Sequence, residues 1–206
     1  PREDVAYRVC KSSIQNRSSI NIRKLYSKDI AAYTRSGEPQ STDFTFTRFW
    51  MPYLSDYKGF TIFVDCDFLF LADPDELINI AMSDKSKAVW CVQHPQYIPN
   101  SDIKMDSITQ NSYYRKNWAS LMVFNNSHPD CIALTPEYLN TYKPGIHFHQ
   151  FKWTTNIGAL SLEWNCLDDY YLWCFTFKWI VECNYFKKYT QQQIKTTQNK
   201  CEKKNK

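Results

Sequence analysis

The stretch GFTIFVDCDFLFLADPDEL, residues 59–77, constrains the fold of this chain more than any other. Its first part, FTIFVDCDF (60–68), is short, β-branched and aromatic, and Lys58-Gly59 bounds it, which predicts a strand. Asp73-Pro74 then reads as the N-cap and first residue of a helix, PDELINIAM. Asp65 and Asp67 sit one residue apart within the strand. Strand side chains alternate faces, so the two carboxylates are expected on one face and Cys66 on the other. Burying charge in such a run is costly unless something pairs with it. Either the run ends at the surface there, or the aspartates hold something.

The rest of the chain alternates in the same manner. VAYRVCKSSI (5–14) has apolar residues three and four apart, which suits a helix. INIRKLY (20–26) reads as a short strand, and YTRSGEPQSTD (33–43) as a polar loop. TDFTFTRFWMPYL follows as a helix with Thr42 or Asp43 as its cap. KAVWCVQH (87–94) and WASLMVF (118–124) read as strands. TPEYLNTY (135–142) reads as a helix with Thr135 as cap and Pro136 at the first position. Strands alternating with helices imply an α/β layered domain with a mostly parallel sheet.

Composition narrows the function classes. The 206 residues suffice for one domain with a sizeable core, and 43% hydrophobic with 17% aromatic residues excludes a disordered chain. There are only four glycines and no GxGxxG or GK[ST] motif, so a nucleotide must be held by other means. The net charge of +4 comes from the end of the chain, where residues 187–206 carry seven lysines and one glutamate. The remainder is therefore net acidic and is not a basic nucleic-acid binder. The eight cysteines show no zinc spacing and read as reduced thiols of a cytoplasmic protein. No signal peptide or apolar span of membrane length is present, and the sequons at Asn16 and Asn125 read as chance.

Ligands of open α/β sheets bind outside the carboxyl ends of the strands, where Asp65 and Asp67 fall. Two convergent carboxylates suit Mg²⁺ or Mn²⁺, and such an ion bridges a diphosphate and neutralises a departing nucleoside diphosphate. A solvated turn is the alternative. A phosphohydrolase of the haloacid-dehalogenase type also uses a strand-end DxD, with Asp168-Asp169 as its distal acidic pair. Leu69 stands where that class prefers Thr or Val.

Taken together, TDFTFTRFWMPYLSDYKGFTIFVDCDFLFLADPDEL resembles the core of GT-A-fold glycosyltransferases of the glycogenin and galactosyltransferase type. The blocks KMDSITQNSYYRKNWASLMVFNNSHP and IHFHQFKWTTNIGALSLEWN resemble a narrower group of sugar transferases that includes chlorella-virus enzymes acting on the major capsid protein. The resemblance spans roughly residues 1–167. It implies a GT-A-like, Rossmann-like, mostly parallel mixed sheet flanked by helices in a single domain. It implies a metal site at Asp65 and Asp67, with His149 as the aligned histidine. Arg48 and Lys104 would lie near the nucleotide or donor sugar, with an ion pair to Asp43 or Asp56 as the alternative for Arg48. Asp106, Gln110 and Asn117 would orient the sugar. Trp118 and Ser120 open the following strand toward it, Trp118 being equally readable as core, and Trp164 and Asn165 lie near the acceptor side. His147 lies two residues from His149, on the same face if that segment is extended, but no third ligand at regular spacing supports zinc.

Two departures stand against the resemblance. Related sequences open with an apolar strand ending in a G-x-D-x-R-E phrase that binds the base, whereas this chain opens at PREDVAYRV, as if trimmed. They also close with a His-Gly-Gly-Pro pattern whose histidine completes the metal site, whereas no histidine follows His149 here. The expectation is a transferase domain over 1–186 with a basic tail over 187–206, fused to further domains in a longer protein. It would move a hexose from a UDP-sugar to a glycan or glycoprotein, in viral capsid glycosylation. An impaired sugar-nucleotide- or glycan-binding module is the alternative.

Overall fold

The computed structural model describes residues 2–35, 44–95, 114–141 and 144–167. Contacts divide the chain into two compact units, Pro1–Asn165 and Cys166–Lys206, and the architecture below belongs to the first. Among the described residues four strands form one sheet: β1 (Phe60–Val64), β2 (Val89–Val92), β3 (Leu121–Asn125) and β4 (Ile157–Leu160). Their order is β1-β3-β2-β4. Strand β3 runs antiparallel to both β1 and β2, and β2 pairs with β4 in parallel. The sheet is therefore α/β and mixed. Of its three pairings only one is parallel, which corrects the mostly parallel sheet expected from the alternation. Strands β1, β2 and β4 do share one direction, but β3 enters reversed between β1 and β2.

Two cores lie on the two faces. Phe60, Ile62 and Val64 pack with α1 (Arg2–Gln15) and α4 (Asp75–Ser83) through Cys10, Ile14, Leu77 and Ala81. Phe63, Val89, Cys91, Met122 and Phe124 face the other way, onto an aromatic cluster of Phe46, Phe49, Trp50, Phe148 and Phe151. Phe46 stands on α2 (Phe44–Thr47), Phe49 and Trp50 on a 3-10 turn at Arg48–Trp50, and Phe148 on α7 (Gly145–His149), while α5 (Pro129–Ile132) and α6 (Pro136–Asn140) add Cys131 and Leu139 to the same core. Between them, α3 (Met51–Leu54) completes the approach to β1. Strands β2 and β3 are buried at every residue, as central strands covered on both faces must be.

Several local expectations are met. Thr135 caps α6, its hydroxyl accepting from the Tyr138 amide at 3.2 Å, with Pro136 in the first turn. Asp73 accepts from the Asp75 amide through its side chain at 2.9 Å, and α4 starts one residue later than predicted. Others are not. INIRKLY forms no strand: it runs past the outer edge of β1, with Ile20 and Ile22 on one core and Leu25 on the other. WASLMVF begins as a 3-10 turn, Trp118–Ser120, before β3. The caps proposed at Thr42 and Asp43 lie outside the described residues.

Candidate functional site

The site grows from the end of β1. The ladder holds through Val64 opposite Leu121, and the Asp65 amide still donates to the Ser120 carbonyl at 2.9 Å. The chain then turns at Cys66 and Asp67, and the Phe68 amide reaches back to the Asp65 carbonyl at 3.4 Å. The expectation that Asp65 and Asp67 share a strand face is thus corrected: the strand stops before them. Their placement differs as a result. Asp65 turns inward with its side chain 20% exposed, while Asp67 is exposed.

Arg48 decides the electrostatics. Its side chain is 7% exposed and its guanidinium lies 3.1 Å from Asp65 Oδ1. Its other terminal nitrogen donates to the Ala119 carbonyl at 2.7 Å. Arg48 thus pairs with Asp65; of the alternative partners considered for it, Asp43 lies outside the described residues. Burial pushes the Asp65 carboxyl up to about 6; Arg48 opposes this and Asp67 adds to it. The Phe63 ring lies under the guanidinium, 4.9 Å from its centroid.

Three further predicted residues meet at the same place. Asn117 takes a left-handed backbone, φ 67°, which asparagine tolerates better than most residues. Its carbonyl accepts from Ser120 Oγ at 2.6 Å and from Asn165 Nδ2 at 3.3 Å, and Asn165 Nδ2 also donates to Ser120 Oγ at 2.9 Å. Arg48, Asp65, Asn117, Ser120 and Asn165 thus form one network from four separate stretches of chain. Asn117 enters it through its backbone carbonyl.

The remaining predicted residues are placed elsewhere. The Trp118 indole nitrogen donates to the His94 carbonyl at 2.9 Å, and its ring packs on Phe151. Trp164 packs in the core on the α1 side of the sheet. The His149 ring lies edge-on to Phe49, and its Nε2 faces the Thr45 carbonyl at 3.0 Å. Burial, aided by the Arg48 charge, lowers its pKa to about 4, so it is a neutral imidazole. His147 and His149 lie on a helix, α7, which corrects the shared face expected of an extended segment, and His147 bonds Tyr138 at 2.8 Å. Lys104, Asp106 and Gln110 lie outside the described residues, as do Asp168 and Asp169. Among the described residues no three His, Cys, Asp or Glu side chains gather as a metal-binding group. Sequence reading missed the Ala119 carbonyl that orients Arg48, and missed Lys116, which is buried at 6% exposure beside Asn117.

Comparison with known proteins supplies the kinship. Over 178 residues the chain is 44% identical to Protein CDI of Arabidopsis thaliana, a match covering 82% of this chain and 67% of that protein. The chain belongs to the Protein CDI family. This corrects the expected membership among GT-A glycosyltransferases with viral capsid-modifying kin, because the relationship found is to a plant protein. No protein-family model matches the chain, and no solved structure matches it. No described helix of this Protein CDI relative is long and apolar enough to cross a membrane. Cys10, Cys91 and Cys131 are free, buried thiols.

Proposed function

We propose that this Protein CDI family member is a metal-dependent hexosyltransferase that takes a sugar from a nucleoside-diphosphate donor, a UDP-sugar, and passes it to a hydroxyl of a glycan or glycoprotein. The observation that carries this reading is the pair Asp65 and Asp67 at the end of β1, beside a buried arginine. Two carboxylates are hard oxygen donors of the kind Mn²⁺ and Mg²⁺ prefer, and they leave coordination positions for phosphate oxygens and water. When bound, the ion supplies charge neutralisation on the departing diphosphate. Arg48 holds Asp65 in place and is a second positive group for a phosphate. Ser120 and Asn165 keep the floor of the site rigid through their mutual hydrogen bond.

Incubation with Mn²⁺ and a panel of nucleotide sugars tests the reading. Release of nucleoside diphosphate is expected. Asp65→Ala and Asp67→Ala are each expected to weaken Mn²⁺-dependent nucleotide binding at least about tenfold, which is 1.4 kcal/mol. Unchanged binding in both variants sinks the assignment.

A second reading, a module that holds a sugar nucleotide without turnover, is favoured by one observation. Asp65 is already ion-paired with Arg48, so an incoming cation has to compete for that carboxylate. Metal-dependent nucleotide binding with no diphosphate release selects it.

A further inference from the structure

Among the described residues β1 is an edge strand, and its hydrogen-bond register says which way its backbone groups point. The Gly59 carbonyl accepts from the Asn126 amide, and the Asp65 amide donates to the Ser120 carbonyl. With Phe63 opposite Met122 and Thr61 opposite Phe124, the odd-numbered residues aim N–H and C=O at β3. Phe60, Ile62 and Val64 therefore aim theirs at the open edge. Among the described residues no hydrogen bond is made to these outward groups.

That edge opens onto an apolar groove, and Phe60, Ile62 and Val64 are half-buried there. A groove of about 710 Å³ runs along it, walled by α1 on one side, by Met51 and Leu54 on the other, and by Ile20, Ile22 and Leu25 across from β1. The segment 20–26 crosses from one core to the other without pairing with β1. Three residues' worth of N–H and C=O groups thus line an apolar groove unsatisfied. Backbone groups shut away from water are almost always paired, so an occupant that covers this groove has to offer hydrogen-bond partners to them. Their spacing, every second residue along a strand, matches the outward groups of another extended backbone and nothing smaller.

We propose that the open edge of β1 receives one further β-strand, an extended peptide segment of mainly apolar residues that hydrogen-bonds to Phe60, Ile62 and Val64 and fills the groove. Main-chain bonds set its register, and alternate side chains of the segment lie against the Ile14–Ile22 wall and the Met51–Leu54 wall. The proposal stands apart from the transferase reading, since it requires no chemistry at Asp65.

The 206-residue chain is titrated with overlapping peptides, each about twelve residues long so as to exceed a typical strand, covering the part of Protein CDI outside the matched region. At least one peptide is expected to bind and to slow amide exchange at Phe60, Ile62 and Val64, leaving Thr61 and Phe63 unchanged. N-methylation of alternate amides along one edge of that peptide is expected to weaken binding about tenfold or more, and along the other edge to leave it intact. Ile62→Pro removes one outward N–H but no bond to β3, and is expected to weaken binding similarly. If that variant fails to fold, the methylated peptides test the same bonds on the unaltered chain. Three outcomes overturn the proposal. One is that no peptide binds, and another is that methylation of either edge is without effect. The third is protection of the three amides in the chain alone at high concentration, which reads as pairing between two copies. Decyl maltoside filling the groove and blocking the peptide without amide protection also counts against a strand.

Discussion

The two ends of the sheet carry polar networks that look alike in composition and differ in closure. At the far end, where β3 leaves and β2 and β4 enter, Asp130 accepts from Thr154 Oγ1 and from Asn156 Nδ2 at 2.9 Å. Thr154 Oγ1 accepts from the Asn156 amide, and Asn125 Nδ2 reaches the Lys85 and Lys87 carbonyls. His128 caps α5 by accepting from the Asp130 amide. The bonds of Asn125 and Asp130 join one connection to the next, with the Asp130 carboxylate held by neutral donors. At the β1 end, a guanidinium and a carboxylate are buried together, the carboxyl titrates near 6, and a second carboxylate stands free of the fold. The first network is explained once the loops are tied down. The second holds charge that the loops do not need, and perturbed charge of that kind clusters at functional sites, which is the ground for the function proposed above.

Removing Arg48 breaks this comparison most sharply. Arg48→Met leaves Asp65 buried without its cation and the Ala119 carbonyl without its donor. Loss of one partner of a buried pair costs about 3–5 kcal/mol. Chemical denaturation is expected to show a loss of that size well above neutral pH, shrinking as the pH falls toward about 6, because Asp65 without its cation takes up a proton at higher pH than in the parent chain, and level below that. A loss independent of pH means that Arg48 matters through packing on Phe63 alone.

At the closed end the expectation is smaller and of one kind. Thr154→Val removes the hydroxyl that links Asp130 to the start of β4, and a buried partner left unpaired costs about 1–3 kcal/mol. Stability is expected to fall by that amount, with Mn²⁺-dependent nucleotide binding unchanged. A change in binding equal to that of the Asp65 variants puts the two ends on the same footing and removes the distinction.

How far the sequence foretold this arrangement varies with the kind of signal. The core strand β1, helix α4 and the capped helix α6 were readable because period, caps and punctuation agree locally. Strand β4 was not, since Gly158 interrupts a four-residue run, and glycine in a strand reads as a break. Its reason is tertiary: a Cβ at Gly158 would stand 2.2 Å from the Trp90 ring, so the tryptophan from β2 covers the place a side chain would take. The segment 20–26 has the composition of a strand but no partner in reach of its backbone. Of the site, the aspartates and Arg48 were legible as residue types near a strand end. The turn after Val64, which sends Asp65 inward and Asp67 outward, was not, because it depends on where β3 ends. The backbone roles of Asn117 and Ala119 leave no trace in residue identity at all.

The acid response separates the two carboxylate environments from the histidines that flank them. Burial lowers His94 and His149 to about 4 from 6.5. A depressed histidine takes up its proton more readily in the unfolded chain, so its contribution to stability is complete above pH 6.5 and is lost as the pH falls toward 4. Asp65 acts in the opposite sense. Its raised carboxyl binds a proton more readily in the folded chain, so folding gains as the pH drops from about 6 toward 3.8. The two histidines outnumber the one aspartate, and net stability is expected to fall between pH 6.5 and 4. His149→Gln is expected to flatten that fall, since glutamine does not titrate and can still donate to the Thr45 carbonyl. Asp65→Asn is expected to steepen it, because the opposing proton uptake is gone. Thermal melts across this pH range read both slopes. Slopes that move together, rather than apart, mean that Asp65 is not the buried, proton-holding carboxyl that distinguishes the β1 end from the closed one.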